Sequence, residues 1–277
     1  MWKAIILAAG LLAASLTGAE SRTMNTVAEL LEYRNQSEAE YQKKHPGQEK
    51  LWGKPVRSTL PAATGKILYQ DNFSDLSNWQ HEGIGNLSTP EPGTMQLNCL
   101  GSKQGREGCM AFCRTDFPDH IKIEYEVKAL SRRGLIIIFI AARGRNGEDM
   151  LTGLPPRSGI FADYIHNEAM RSYHLSVSRY NDKGEHTGVS NWRRNPGIFL
   201  MGQQEDACRQ INTWYRIAIV KKGPLLQLSV NGEPAGGFLD PQEIPEEIPT
   251  AGKIGFRTIG SEVHMQIRNF RVTALGK

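Results

Sequence analysis

Two histidines and two tyrosines between residues 160 and 180 have side chains of the types that move protons in enzymes. His166 and His174 are candidate general bases, because an imidazole titrates near neutral pH. Tyr164 and Tyr180 are candidate general acids, because a phenol can protonate a departing oxygen. Together these residue types are suited to abstracting a proton and protonating a leaving group on one substrate.

Positively charged and amide side chains nearby extend this chemistry to a charged substrate. Such groups bind a carboxylate and stabilise the enolate-like charge that forms when the adjacent carbon loses its proton. The candidate substrate-binding residues are Arg143, Asn191, Trp192, Arg193 and Arg194. We interpret the cluster as a β-elimination site, and the leading hypothesis is a metal-independent lyase of uronic-acid polysaccharides.

Strand alternation must position these side chains. Residues 171–180 are predicted to form a strand that turns one set of side chains into the core and His174 towards the opposite, polar face. Residues 160–166 are predicted to form the preceding antiparallel strand, which would place His166 near His174. The polar loop at residues 191–197 is expected to close over both histidines.

Glycoside hydrolysis is an alternative function. It needs two carboxylates about 5 to 9 Å apart. Glu124 and Glu126 come closest in spacing, but they are predicted to lie on the solvent face of an alternating strand. Glu148, Asp149 and Asp163 are the other carboxylates from which a catalytic pair could form.

A non-catalytic carbohydrate-binding module is the second alternative. Such modules stack sugars on exposed aromatic rings. Trp192 stands in a stretch predicted to be a polar loop, where either a sugar-facing or a buried position is open, and Tyr164 and Tyr180 are further candidates. Trp79 and Trp214 are expected in the core. In all three interpretations the partner is a polysaccharide or oligosaccharide.

The four cysteines are expected to be structural. Cys99 and Cys109 flank a glycine-rich turn, and a hairpin centred there would place them opposite each other as the preferred disulfide. Cys113 and Cys208 complete the set. Because the chain has no Cys-x-x-Cys spacing, we expect no metal site and no cofactor. A structural Ca²⁺ near Asp71 stays open.

Composition and charge narrow the class of protein. Of 277 residues, 39% are hydrophobic and 22% charged, which is typical of a globular chain. The net charge of +4 is too weak to indicate binding to nucleic acid or to an anionic membrane. Residues 1–19 resemble a secretory signal peptide, so a secreted or periplasmic protein without a membrane span is expected.

The rest of the chain divides into an arm and a β domain. Residues 20–65 are predicted to form a helical arm and linker, with a capping box at Thr26 and Glu29 that begins a helix ending near Lys44. Residues 66–277 are predicted to form one all-β domain.

Alternation and turn signals define the β domain. Residues 121–127 alternate strictly between apolar and polar side chains, whereas residues 134–142 are apolar throughout and indicate a central strand. Asn231-Gly232 is typical of a two-residue hairpin. About a dozen such strands predict a two-sheet antiparallel jelly-roll sandwich.

Several stretches resemble known families. Residues 68–79 (LYQDNFSDLSNW), 214–217 (WYRI) and 267–272 (IRNFRV) resemble concanavalin A-like lectin/glucanase domains. Residues 117–119, 141–149, 173–176, 191–197 and 253–257 resemble the YesU-like family of uncharacterised function, which is associated with bacterial polysaccharide utilisation. This resemblance implies a jelly roll and a glycan context, and it supplies no catalytic residues.

Overall fold

The computed structural model describes residues 24, 26–101 and 107–276. The signal peptide predicted at residues 1–19 lies outside the described residues. Within the part that the structure describes, no helix has the length and apolar character needed to cross a membrane.

The described chain contains two helices and sixteen strands. The helices are α1 (Val27–Lys44) and α2 (Ala162–Ile165). The strands are β1 (Lys54–Pro55), β2 (Ile67–Asp71), β3 (Trp79–Gly83), β4 (Asn86–Ser88), β5 (Thr94–Cys99), β6 (Gly108–Cys113), β7 (Ile121–Ala129), β8 (Leu135–Gly144), β9 (Met170–Val177), β10 (Val189–Asn195), β11 (Phe199–Glu205), β12 (Tyr215–Lys222), β13 (Leu225–Val230), β14 (Glu233–Leu239), β15 (Lys253–Ile259) and β16 (Val263–Ala274).

The strands form two antiparallel sheets. The nine-stranded sheet has the order β1-β14-β13-β12-β7-β16-β5-β4, with β2 also paired to β16. The seven-stranded sheet has the order β11-β10-β9-β8-β15-β6-β3. The predicted all-β, two-sheet antiparallel sandwich with a helical arm is confirmed.

The main core lies between the two sheets and follows from alternation. In β7, Ile123 and Tyr125 are buried, whereas Glu124 and Glu126 between and beyond them are partly exposed. A period of two therefore sends the apolar set inward and the charged set outward, as predicted.

Strand β8 is apolar on both faces because the seven-stranded sheet is covered on both faces at this strand. Ile138 and Ile140 point into the main core. Ile137 and Phe139 point outward into a second apolar cluster that includes Tyr164 from the segment after β8. Because this segment covers the outer face of β8, neither face of the strand requires polar side chains.

The arm helix begins where the sequence indicates. The Thr26 hydroxyl accepts a hydrogen bond from the backbone of Glu29, whose carboxylate in turn accepts one from the backbone of Thr26. Val27 and Leu30 bury the apolar side of the first turn. The predicted capping box is confirmed, and it fixes the first turn of α1.

The hairpin between β13 and β14 is also confirmed. Asn231 and Gly232 both have positive φ values, 54° and 94°. Both central residues of a type I′ turn need this conformation, which asparagine and glycine adopt at low cost.

The predicted hairpin of Cys99 and Cys109 is wrong. Strand β5 pairs with β4 and β16, whereas β6 pairs with β3 and β15 in the other sheet. The four cysteines are buried free thiols. The Cys99 thiol contacts the carbonyl oxygen of Gly260 at 3.1 Å, and burial raises the pKa of Cys109 to about 12.

Two local predictions in the site region are also wrong. The segment that contains Tyr164 and His166 is not a strand: Tyr164 lies in α2, and His166 is the C-cap of that helix. The stretch that contains Asn191 and Trp192 is a strand, β10, and not a loop. Although the sequence of β10 is mostly polar, the side chains of Trp192 and Arg194 are buried on the side that faces the other sheet.

A buried ion pair links β10 to the residues after β14. The guanidinium of Arg194 lies 2.8 Å from Asp240 Oδ2, and both side chains are almost fully buried. The Tyr173 hydroxyl donates to the same carboxylate at 2.6 Å. Arg194 also donates to the backbone carbonyl of Glu246. These bonds satisfy charges that would be costly to bury alone.

Removing one partner of this pair should strongly destabilise the fold. For Arg194→Met we expect the free energy of unfolding, measured by urea denaturation, to fall by about 3–5 kcal/mol, because Asp240 is left as an unpaired buried charge. The double variant Arg194→Met/Asp240→Asn should lose less than the two single changes together. Arg133→Met, an exposed site, is the control and should change stability by less than about 0.5 kcal/mol. A small loss for Arg194→Met would contradict this role.

Candidate functional site

The outward side chains of β9, β10 and β11 form a polar surface on the seven-stranded sheet. Ser176 lies opposite Asn191, and Asn191 lies opposite Gln203. Arg193 lies opposite His174 on the same face. We call Ser176, Asn191, Arg193 and Gln203, together with Arg179 after the end of β9, the outer strip.

Two guanidinium groups dominate the outer strip. The Arg179 guanidinium lies 3.0 Å from the amide of Asn191 and donates to the carbonyl oxygen of Val189 at 3.3 Å. Burial, and then the charge of neighbouring Arg193, lower the pKa of Arg179. Gln203 Nε2 lies 3.0 Å from the Asn191 amide on its other side. The strip therefore combines two like charges with two amides.

A carboxylate from the segment after α1 covers one of these charges. Glu49 contacts Arg193 through both carboxylate oxygens, at 2.7 and 3.2 Å. Arg193 also donates to the carbonyl oxygen of Ile198 at 2.9 Å. This two-point geometry is the one that guanidinium and carboxylate groups prefer.

His174 is sealed beneath the strip. Its side chain is 3% exposed, and its ring packs near Phe139 and Phe161. Asn195 Nδ2 lies 3.0 Å from His174 Nδ1. Burial, followed by the charges of nearby arginines, lowers the pKa of His174 to about 3. This environment does not suit a general base that must work near neutral pH.

Tyr164 is engaged in a buried network under the segment between β8 and β9. Its hydroxyl donates to Glu82 at 2.8 Å, and Glu82 also pairs with Arg157. Arg257 lies over its ring, 5.2 Å from the centroid. Burial raises the pKa of Tyr164. The phenol holds the covering segment in place, and the structure does not bring it to the outer strip.

The remaining proton-transfer candidates lie apart. His166, at the end of α2, is half-buried, and its Nδ1 has no hydrogen-bond partner among the described residues. Burial and the charge of Arg34 lower the pKa of His166. The Tyr180 hydroxyl donates to the carbonyl oxygen of Arg209 at 2.7 Å. An acid and a base do not meet at one place.

Three predicted binding residues are used structurally. Trp192 is fully buried in the main core, where its ring contacts Phe238 edge-on, so the sugar-facing position is wrong. Arg194 is the buried partner of Asp240 and is not free to bind a substrate carboxylate. Arg143 donates to the carbonyl oxygen of Gly147 at 2.7 Å, at the end of β8.

Three residues of this region were not predicted from the sequence. Gln203 could have been found by extending the alternation of β11 across the register with Asn191. Arg179 and Glu49 carry no such signal, because each reaches the strip from outside a regular strand. Only three-dimensional contacts identify them.

Three of the carboxylates considered for hydrolysis, Glu148, Asp149 and Asp163, have separate partners. Glu148 accepts from Asn146, Asp149 lies 2.6 Å from Lys253, and Asp163 accepts from the Ser158 hydroxyl at 2.6 Å. These contacts do not bring the carboxylates together as a catalytic pair.

Asp71 does not suit a Ca²⁺ ion. Its carboxylate accepts from the Phe73 backbone at 2.7 Å, from the Tyr69 hydroxyl at 2.7 Å and from the Trp79 indole at 2.8 Å. Calcium needs several oxygen ligands, whereas this carboxylate is surrounded by hydrogen-bond donors. Within the described ranges there is also no group of three or more His, Cys, Asp or Glu side chains that could hold a metal.

Comparison with known proteins identifies the family. Residues 66–272 match a family model described as a domain of unknown function, DUF1961. The chain belongs to the DUF1961 family. This DUF1961 protein is 28% identical over 201 residues to the uncharacterised protein YesU of Bacillus subtilis (strain 168), a match that covers 70% of this chain and 89% of YesU. The predicted YesU-like relationship is confirmed.

Solved structures confirm the fold of the DUF1961 domain. A Bacillus subtilis protein of unknown function with a galectin-like fold superposes with a TM-score of 0.67 at 25% identity, covering 79% of this chain and 98% of that protein. SCLam, a non-specific endo-β-1,3(4)-glucanase of family GH16, gives 0.54 at 10% identity, covering 82% and 97%. The Emp46p carbohydrate recognition domain gives 0.50 at 13% identity, covering 73% and 91%. The last two likenesses concern the fold alone.

Buried His174 should make the DUF1961 protein sensitive to acid. Between its ordinary pKa of 6.5 and its folded value of about 3, the unfolded chain binds a proton that the folded chain does not. The free energy of unfolding should therefore fall with decreasing pH, by about 1.4 kcal/mol per pH unit from this residue. Denaturation of His174→Gln between pH 7 and pH 4 should give a shallower slope than the parent protein. Equal slopes for His174→Gln and the parent protein would contradict the assignment.

Proposed function

We propose that the protein is a carbohydrate-binding protein that recognises an acidic, uronic-acid-containing glycan at the outer strip. The observation that carries this proposal is the two-point contact of Glu49 with Arg193 beside Arg179. A carboxylate already lies where a sugar carboxylate would bind, and it comes from a different segment of the chain.

The charge balance supports an anionic ligand. Arg179 and Arg193 repel each other. Asp206 and then Glu49 partly offset the charge of Arg179, and Glu49 is the carboxylate that contacts Arg193 directly. A uronate could replace Glu49 with the same paired hydrogen bonds, since guanidinium groups bind carboxylates in this geometry. A second negative group on the glycan would then relieve the repulsion at Arg179.

The neutral part of a sugar would find partners next to these charges. The exposed amide of Gln203 offers both a donor and an acceptor. Asn191 and Ser176, which lie in register with it, are 6% and 4% exposed and support the strip from beneath. Gln203 is exposed, so it can meet a ligand without rearrangement of the strands. Sugar hydroxyls are recognised by such mixed groups.

Binding is favoured over elimination because the proposed acids and bases are dispersed. Tyr164 and Tyr180 donate their hydroxyl protons to protein acceptors, and His174 is sealed. His166 is less buried than His174, and it remains the candidate base if the protein is a lyase. Export, as predicted from residues 1–19, would bring the protein to extracellular polysaccharides.

Binding should depend on the charge of both partners. We expect the parent protein to bind polygalacturonate in isothermal titration calorimetry and to bind its fully methyl-esterified form at least about tenfold more weakly, since esterification removes the carboxylate charge. Arg193→Gln should weaken binding of the acid form about tenfold, which corresponds to loss of a charge-assisted hydrogen bond.

Glu49→Gln should act in the opposite direction. Removing the competing carboxylate should tighten binding of the acid form about twofold to fivefold, because a partly exposed ion pair contributes up to ~1 kcal/mol. Arg133→Gln removes an exposed guanidinium elsewhere and is the matched control. Equal affinities for both polymer forms, or no effect of Arg193→Gln, would contradict recognition at the outer strip.

The absence of elimination is a separate expectation. Incubation with polygalacturonate should produce no rise in ultraviolet absorbance, because β-elimination would leave an unsaturated uronide and binding does not. A rise that disappears in His166→Ala would overturn the non-catalytic function in favour of a lyase. New reducing ends without absorbance would indicate a hydrolase.

A further inference from the structure

A groove of about 400 Å³ lies on the outer face of the nine-stranded sheet, opposite the outer strip. It is lined by side chains of β7, β12, β13, β14 and β16 and by two residues of the linker after β1. The groove is independent of every residue assigned above to the outer strip.

The groove follows from a row of small side chains. Glu124, Ala218, Ser229 and Pro234 lie in register across β7, β12, β13 and β14. The side chains of Ala218 and Ser229 are short, whereas those of Glu124 and its neighbours extend further from the sheet on one side. A depression therefore runs across four strands, and the pairing of β13 with β14 has a register shift between Leu228 and Ser229 at its floor.

The linker builds one wall. Val56 donates its backbone N–H to the carbonyl oxygen of Gly237 at 3.0 Å, and the Ser58 hydroxyl accepts from the Gln227 amide. Thr59 and Leu60 then line the groove. Because the linker is hydrogen-bonded to β13 and β14, this wall is fixed relative to the floor.

Charged groups line the opposite side. Glu124 lies 3.1 Å from Lys122 and 3.3 Å from Arg271. Glu126 accepts from Arg268 at 2.7 Å and from Asn269 at 3.1 Å. These bonds hold the carboxylates in defined positions while leaving part of each exposed.

Arg216 differs from the other positively charged side chains that line the groove. It is exposed in the groove and lies in register with Glu126 on β7. Its guanidinium makes no ion pair with any residue that the structure describes. It can therefore bind a ligand carboxylate without breaking an internal pair.

We propose that this groove is a second glycan-binding site, which takes a short acidic oligosaccharide with its carboxylate on Arg216. The fixed carboxylates of Glu124 and Glu126 accept hydrogen bonds from sugar hydroxyls, and Ser229 contacts the sugar over the low floor. A sugar suits this floor because every wall offers hydrogen-bonding groups and no large apolar anchor pocket is present among the described lining residues. The chain then holds one glycan on each face of the sandwich.

The stoichiometry of a trisaccharide distinguishes this proposal from the outer strip. A trigalacturonate is too short to reach around the edge of the sandwich, so calorimetry should give two sites per chain. Arg216→Gln should weaken one site about tenfold. Arg193→Gln should weaken the other site, and the double variant should lose both.

Ala218→Tyr should abolish the groove site by filling it, while circular dichroism and the melting temperature check that the sheet is intact. Arg133→Gln again controls for loss of an exposed charge. One site per chain that responds only to Arg193→Gln would overturn the groove and leave the outer strip. One site that responds only to Arg216→Gln or Ala218→Tyr would support the groove and overturn the outer strip. Absence of binding would overturn both.

Discussion

The buried ion pair of Arg194 with Asp240 decides which side chains of β10 face outward. Side chains alternate along a strand, so a slip of one residue would exchange its two faces. With Arg194 and Trp192 held in the core, Asn191 and Arg193 must lie on the outer face beside β9 and β11. Both the composition and the position of the outer strip depend on this single constraint.

Regular patterns made most of the fold predictable. The alternation of β7, the apolar run of β8, the capping box at Thr26 and the Asn231-Gly232 turn each encode local structure in neighbouring residues. The site was less predictable. In β10 a polar sequence is buried because Asp240, far along the chain, neutralises Arg194. The short helix α2 covers the sheet because the Tyr164 hydroxyl donates to Glu82. No periodic pattern in the sequence indicates that contact.

The segment outside the matched family domain touches both candidate surfaces. Glu49 reaches the outer strip on one sheet, whereas Thr59 and Leu60 line the groove on the other. Between them, Trp52 donates its backbone N–H to the carbonyl oxygen of Leu200 at 2.8 Å, at the edge of the sandwich. A relative that lacks this segment would present both surfaces without these contributions.

The four cysteines are buried free thiols, and this limits their reaction with external reagents. Burial raises the pKa of Cys109 and of Cys208, so little of either is present as the reactive thiolate. Exchange with an external disulfide then requires the sandwich to open. The rate of alkylation at these positions would consequently report how often the native state opens, locally or globally, around each cysteine.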